Sequence, residues 1–265
     1  MQKELILIKL GGSLITDKKK AFVAKKKVID RLSLEIRDAL KHLKGDLIIG
    51  HGSGSFGHSV AAKYNTQKGI TNKHSIEGFS LVSMAARKIN QIVMDSLVSK
   101  GIKAITFSPL SFIYSTNEEE KESITINIKK ALEIGLTPVV YGDVIMDEKM
   151  GFCIYSGEKT LNLLAEKFIK DYKVIRIIYC GETNGVYDQK GNTIKEITSK
   201  NYIKIKNVLK GSSAIDVTGG MMHKVNEALE IANKLQAKTL IINATKDNVL
   251  KNAILGKEVL ATSIY

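Results

Sequence analysis

The segment GHGSGSFGH carries Gly52, Gly54 and Gly57 in the G-x-G-x-x-G spacing of loops that hold phosphate. It follows the short apolar run DLIIG and leads into HSVAAKY, which reads as the start of a helix. Free N–H groups and the helix dipole favour an anion at such a junction, and glycine lets the backbone approach it closely. Three more stretches share this character: KLGGS, with Gly11, Gly12 and Ser13; YSGE, with Gly157; and VTGGM, with Gly220. Four such glycine-bearing exits suit a polyphosphate together with a second anionic group. Lys9 lies inside the apolar run LILIKL, where a buried ammonium must reach a partner. The other chemical candidates are ambiguous one at a time. His58 and Lys224 read equally well as surface residues, Lys18 sits in a lysine run, and Asp143 and Asp216 suit turns or helix caps.

Spacing excludes the familiar owners of a glycine loop. A dinucleotide-binding fold needs an acidic residue about 20 residues on, at the end of the next strand. Here that region reads KGITNKHSIEG, polar and without a strand. A protein-kinase loop wants valine two residues past the last glycine, where Ser59 stands, and the chain has neither H-R-D nor D-F-G. There is no G-x-x-x-x-G-K-[ST] either.

The elements that would position these residues alternate. LILIKL reads as a buried strand ending at Gly11-Gly12, and Ile29, Leu32, Ile36, Leu40 and Leu43 mark a helix. After the strand DLIIG, Phe79, Val82, Ala86, Ile89, Val93 and Leu97 mark a long helix ending at Gly101. KAITFS, a helix over SITINIKKALEIG, and TPVVYG follow. A hairpin is expected in DVIMDEKMGFCIYSG and a second hairpin-like region around NGVYDQKGNTIKEI. Helix–strand alternation then resumes, with the C-terminus as an edge strand. This pattern predicts a parallel sheet covered on both faces. One continuous domain with two lobes is expected, about 1–150 and 151–265, the boundary lying near 141–157.

Composition bounds the partners. The net charge of +13 is nearly all lysine, scattered along the chain, with arginine only at 31, 37, 87 and 176. There is no Trp and no basic stretch interleaved with aromatics, so a nucleic-acid partner is not expected. No apolar run reaches signal-peptide or membrane-span length, and the reading is a cytoplasmic chain away from membranes. Cys153 and Cys180 have no metal or redox spacing and read as buried free thiols.

Taken in order, IKLGGSLITDK, GHGSGSFGH, PVVYGDVIMD, YSGE, ETNGVYD and DVTGGMMHK resemble the amino acid kinase superfamily, and within it the isopentenyl phosphate kinases most. The likeness runs from Lys9 to Lys224 and through the last helix and strand; the loop closing on Phe56-Gly57-His58 is its most specific piece. It implies a three-layer α/β/α sandwich with a mainly parallel open sheet. It also implies ATP-dependent phosphorylation of isopentenyl phosphate by a homodimer in isoprenoid synthesis by the mevalonate route. A fosfomycin kinase, acting on a phosphonate, looks similar and stands as the alternative. A basic binding protein that kept the fold and lost catalysis is the rival of a different class. Retention of Lys9, Lys18, His58 and Lys224 together speaks against it.

By the same resemblance, Lys9, Gly11, Gly12 and Ser13 would cradle the transferring phosphate, with Lys18 as the second lysine. Gly52, Gly54, His58 and Gly157 would meet the acceptor, with Ser53 and Gly57 close to the nucleotide. Thr183 would lie near the nucleoside, Gly220 and Lys224 would touch the nucleotide phosphates, and Asp216 would cap or assist. Asp143 would orient the lysines. Val82, Met84 and Ala86 on the long helix, with Ile145, Met146 and Ile154 from the hairpin, would wall an isoprenoid tail. Mg²⁺ would ride on the ATP phosphates, with no protein ligands expected. Two positions depart from the family pattern: Ser53 where a middle glycine is usual, and Glu158 where Asp follows Ser-Gly.

Overall fold

Strand β1 (Lys3–Leu10) shows why the sheet needs cover on both sides. Leu5 and Leu7 point to one face and Ile6, Ile8 and Leu10 to the other, and all five are buried. In the computed structural model, which describes residues 2–210 and 219–265, each face has its own apolar core. The eight-stranded sheet contains β1, β2 (Asp46–His51), β3 (Ala104–Thr106), β6 (Thr137–Tyr141), β9 (Tyr172–Gly181), β10 (Glu196–Ile197), β11 (Lys238–Asn243) and β12 (Ala261–Ile264). A four-stranded sheet contains β4 (Ile113–Thr116), β5 (Glu119–Ser123), β7 (Asp143–Asp147) and β8 (Gly151–Tyr155).

Spatial order in the large sheet is β10-β12-β11-β9-β1-β2-β6-β3, parallel throughout except for β11 against β12. Helices α2 (Lys26–Leu40), α4 (Lys73–Ser99) and α9 (Val249–Ile254) cover one face; the short turn α1 (Gly12–Ile15) and the start of α3 (Gly54–Tyr64) join them. Helices α5 (Ile126–Glu133), α6 (Gly157–Phe168) and α8 (Gly219–Leu235) cover the other, and α7 (Ser199–Lys210) packs beside α8. This is the three-layer α/β/α sandwich expected from the sequence. Strand order reverses at β1, with β2 on one flank and β9 on the other. Open α/β sheets form their ligand crevice at such a switch point, beyond the carboxyl ends of the strands.

Three local readings change. The C-terminal strand is not an edge: β12 lies between β11 and the two-residue β10. The expected 143–155 hairpin is present, but it pairs with a second one, β4–β5, whose segment IYSTNEEEKES is too polar for a period-two signal. The Asp147 carboxylate ties the two together. It accepts from the backbone N–H of Asn117, Glu118, Lys149 and Met150 and from Ser115 Oγ. Finally, α3 begins at Gly54, inside the glycine loop rather than after it. Both cysteines are buried and free, and burial pushes the Cys153 thiol up to about 11.

Candidate active site

A cavity of about 680 Å³ opens at the switch point, between the carboxyl ends of β1, β2 and β9 and the starts of α3, α6 and α8. Its walls are backbone turns pressed together. The Gly11 N–H donates to the Cys180 carbonyl at 2.9 Å. A Cβ on Gly12 would stand 2.8 Å from Gly54 Cα, and one on Gly157 would stand 2.6 Å from the His51 carbonyl oxygen. Gly54 itself has φ +52, the left-handed region that glycine enters without strain. The turns after β1, after β2 and before α6 thus meet at distances only glycine permits.

Lys9 leaves the end of β1 between Gly50 of β2 and Tyr179 of β9 and is 6% exposed. Its ammonium pairs with the Glu158 carboxylate, in the first turn of α6. Burial alone would raise that carboxyl, but Lys9 and the charge of Lys224 on α8 outweigh it and hold it below the usual range. Glu158 is therefore the carboxylate that holds the Lys9 ammonium in place. Lys25 Nζ fixes the next turn, donating to the Ser13 carbonyl and to Glu182, both at 2.8 Å.

Asp143 does not do what the sequence suggested. It lines the cavity, but its hydrogen bonds come from its own neighbour's N–H, Val144, at 2.8 Å and from Ser83 Oγ of α4 at 3.3 Å. Burial pushes its carboxyl up to about 7, only partly offset by these donors and by Arg87. It belongs to the α4 side, where Ala61, Val82 and Val144 form an apolar cluster with Phe79 and Ile154 packed against it.

Sixteen of the residues singled out in the sequence line this one cavity: Lys9, Gly11, Gly12, Ser13, Lys18, Gly52, Ser53, Gly54, Gly57, His58, Val82, Asp143, Ile154, Gly157, Thr183 and Lys224. His58 and Lys18 are exposed on its rim. Ser53 turns its side chain over Gly57, where a Cβ would lie 2.3 Å from Ser53 Oγ; the missing side chain one turn on makes room for the extra one. Gly220 sits in the first turn of α8 next to Met221, which lines the cavity. Asp216 lies outside the described residues.

Four expected wall residues are elsewhere. Met84 is 52% exposed, since two residues turn a helix by about 200° and carry it away from the Val82 face. Ala86 shares the Val82 face but stands one turn further along and is buried beyond the cavity. Ile145 points into the opposite core with Phe112 and Ile128; strand alternation gives Val144 to the apolar wall instead. Met146 is exposed. The sequence reading missed Thr16, Ala61, Tyr155, Tyr179 and Glu182, which also line the cavity. Tyr179 donates to Asn162 Oδ1 at 2.8 Å.

These features recur in known proteins. The model of the amino acid kinase family matches residues 4–243. The chain is 36% identical to the isopentenyl phosphate kinase of Methanocaldococcus jannaschii, over 98% of either chain. It is 32% identical to that of Methanothermobacter thermautotrophicus, again over 98% of each. A solved structure described as isopentenyl phosphate kinase superposes with a TM-score of 0.83 at 30% identity, over 98% of this chain and all of that one.

Proposed function

The chain belongs to the amino acid kinase family, and on that premise we propose that it transfers the γ-phosphoryl group of ATP to isopentenyl phosphate, releasing isopentenyl diphosphate and ADP. One observation carries the choice of acceptor. A single cavity joins a lysine- and glycine-lined polar end to an apolar wall of Ala61, Val82 and Ile154, with His58 on its rim. A small phosphorylated hydrocarbon has that polarity.

The chemistry asks little covalent help of the protein. An oxygen of the acceptor phosphate attacks the γ-phosphorus, the bond to the bridging oxygen of ADP breaks in line, and ADP departs with the electron pair. A phosphate monoester is already largely dianionic at neutral pH, its second pKa being about 6, so no general base is needed. Positioning and charge neutralisation remain. Lys9, steadied by Glu158, and Lys18 face the transferring group with the N–H groups of Gly11, Gly12 and Ser13. Lys224 and Gly220 meet the nucleotide phosphates, with Ser53, Gly57 and Thr183 along the nucleotide. His58, Gly52, Gly54 and Gly157 hold the acceptor phosphate. Among the described residues no three His, Cys, Asp or Glu side chains converge to hold a metal. A Mg²⁺ ion would arrive on the phosphates of ATP, where it neutralises their charge. The same reading places the protein in isoprenoid synthesis by the mevalonate route, as a cytoplasmic homodimer. Among the described residues no helix is long and apolar enough to cross a membrane.

A coupled ADP-release assay with Mg-ATP tests the reading, with isopentenyl phosphate and fosfomycin as acceptors and His58→Ala as control. Turnover with isopentenyl phosphate, with its KM raised roughly 10- to 100-fold in the variant, is expected for a lost hydrogen bond to a charged group. Turnover with fosfomycin alone would move the function to a phosphonate kinase.

A further inference from the structure

Thr16 has no part in the roles given so far, yet it is fully buried in the wall of the site. Its Oγ1 donates to the Gly12 carbonyl at 2.7 Å and accepts from the Ser55 N–H at 3.0 Å. The first partner belongs to the turn after β1, on the nucleotide side. The second belongs to the first turn of α3, next to Gly54, which the reading above gives to the acceptor. A Cβ on Gly54 would meet Thr16 Oγ1 at 2.1 Å and the Gly12 carbonyl at 2.7 Å. The two turns therefore touch with no space between them, and one hydroxyl bonds to both. Thr16 also opens the hairpin that carries Lys18: it bridges to Ala24, and the Asp17 N–H donates to the Val23 carbonyl at 2.9 Å.

We propose that Thr16 is a positioning residue that sets the separation and alignment of the transferring phosphoryl group and the acceptor oxygen, by joining the nucleotide turn to the acceptor helix through its hydroxyl. This rests on the kinase reading above. Substrate affinity is supplied by other groups on each side, so each substrate still binds when the link is cut. What changes is their mutual geometry, and in-line transfer is steeply sensitive to it. Loss of the hydroxyl leaves the Ser55 N–H without its acceptor, which pulls the start of α3 toward another partner. It also frees the base of the Lys18 hairpin.

The test compares wild type, Thr16→Val and Thr16→Ser. Valine keeps the branched shape and removes both hydrogen bonds; serine keeps the hydroxyl. Steady-state kinetics with ATP and isopentenyl phosphate are paired with calorimetric binding of each substrate alone. Thr16→Val is expected to lose roughly 10- to 100-fold in kcat, the scale of a sub-ångström to 1 Å misplacement, with both dissociation constants changed less than about threefold. Thr16→Ser is expected to restore most of kcat. Should valine prevent folding, Thr16→Ala carries the same expectation. An active wild type with an equally active Thr16→Val overturns the inference alone. So does a loss matched by equal weakening of both binding constants, or one that serine does not rescue. A folded wild type silent toward isopentenyl phosphate overturns the kinase reading, and the inference with it.

Discussion

Replacing Gly12 by alanine puts a methyl group into space that the structure gives to another backbone. The added Cβ would lie 2.8 Å from both Cα and N of Gly54. Ordinary carbon contacts begin near 3.5 Å, so the two turns must separate by about 0.7 Å. Neither can yield as a flexible side chain would, because Ser55, next to Gly54, donates to Thr16 Oγ1 at 3.0 Å and Gly52 donates to the Leu10 carbonyl at 3.1 Å. The backbone of Gly12 itself lies outside the left-handed region, so alanine meets no conformational penalty and the effect isolates the close approach. Overpacking of this kind costs roughly 1–3 kcal/mol, which for a chain of this size lowers Tm by about 2–4 °C per kcal/mol. The kinetic effect should be larger in proportion. A shift near 1 Å between reacting groups costs up to about 100-fold, so kcat is expected to fall at least about 10-fold. ADP release at saturating ATP and acceptor, read beside a thermal melt, measures both. A Gly12→Ala enzyme with unchanged kcat and unchanged Tm would show that the turns are not in contact in solution.

Three further expectations concern single side chains. Glu158→Gln leaves the Lys9 ammonium buried without its counter-charge, a loss of about 3 kcal/mol at the low end for such pairs because one side meets the cavity. Because the Glu158 carboxyl is depressed in the fold, its contribution is present above the unfolded pKa near 4.3 and lost as pH falls through the folded value. The Tm deficit of the variant should therefore be large at pH 7 and shrink in acid; a deficit independent of pH would dismiss the ion pair. Asp143 has the opposite sign: its raised pKa means the fold holds the proton longer than the unfolded chain, so its ionisation lowers stability as pH climbs from about 4 toward 7. Asp143→Asn should melt close to wild type at about pH 3.5, below the unfolded pKa, and several degrees higher at pH 8, and parallel curves at the two pH values would contradict the raised value. Val82→Phe should fill the apolar end and penalise longer prenyl phosphates, while Met84→Tyr, pointing to solvent, should leave chain-length preference alone. Equal preference in both variants would put the tail elsewhere.

Much of this site could be read from the chain because its parts are local. Gly12, Gly52, Gly54 and Gly157 each end or follow an apolar run, and the alternation of strand and helix places such exits at one end of a parallel sheet. The parts that stayed hidden depend on partners far away in sequence. Nothing near Lys9 announces that Glu158 will neutralise it, and nothing near Thr16 announces the Ser55 N–H. Asp143 was misjudged because a carboxyl at the start of a strand says nothing about which wall it joins; Ser83 of α4 decides that. Ile145 was misplaced because Val144 and Ile145 are both buried, one in each core, so the alternation that would separate them is silent. The β4–β5 hairpin escaped notice for the reverse reason: its glutamates are paired or solvated, and its order comes largely from Asp147 reaching across from β7.

The central position of β1 also bears on how the chain acquires its structure. Leu5 to Leu10 pair along one side with Asp46–His51, and Lys3 to Leu10 pair along the other with Tyr172–Cys180. During synthesis, the strand that carries Lys9 waits for more than half of the polypeptide before its second edge is covered. That edge exposes the backbone N–H and C=O groups of alternate residues along an apolar strand, a template for pairing with other nascent chains. A segment truncated near residue 150 would keep the open edge permanently, and separated halves would each lack a neighbour of their longest strand. Assembly of the catalytic crevice is in this sense a late event, governed by contacts of high sequence separation and slow by the usual dependence of folding rate on topology.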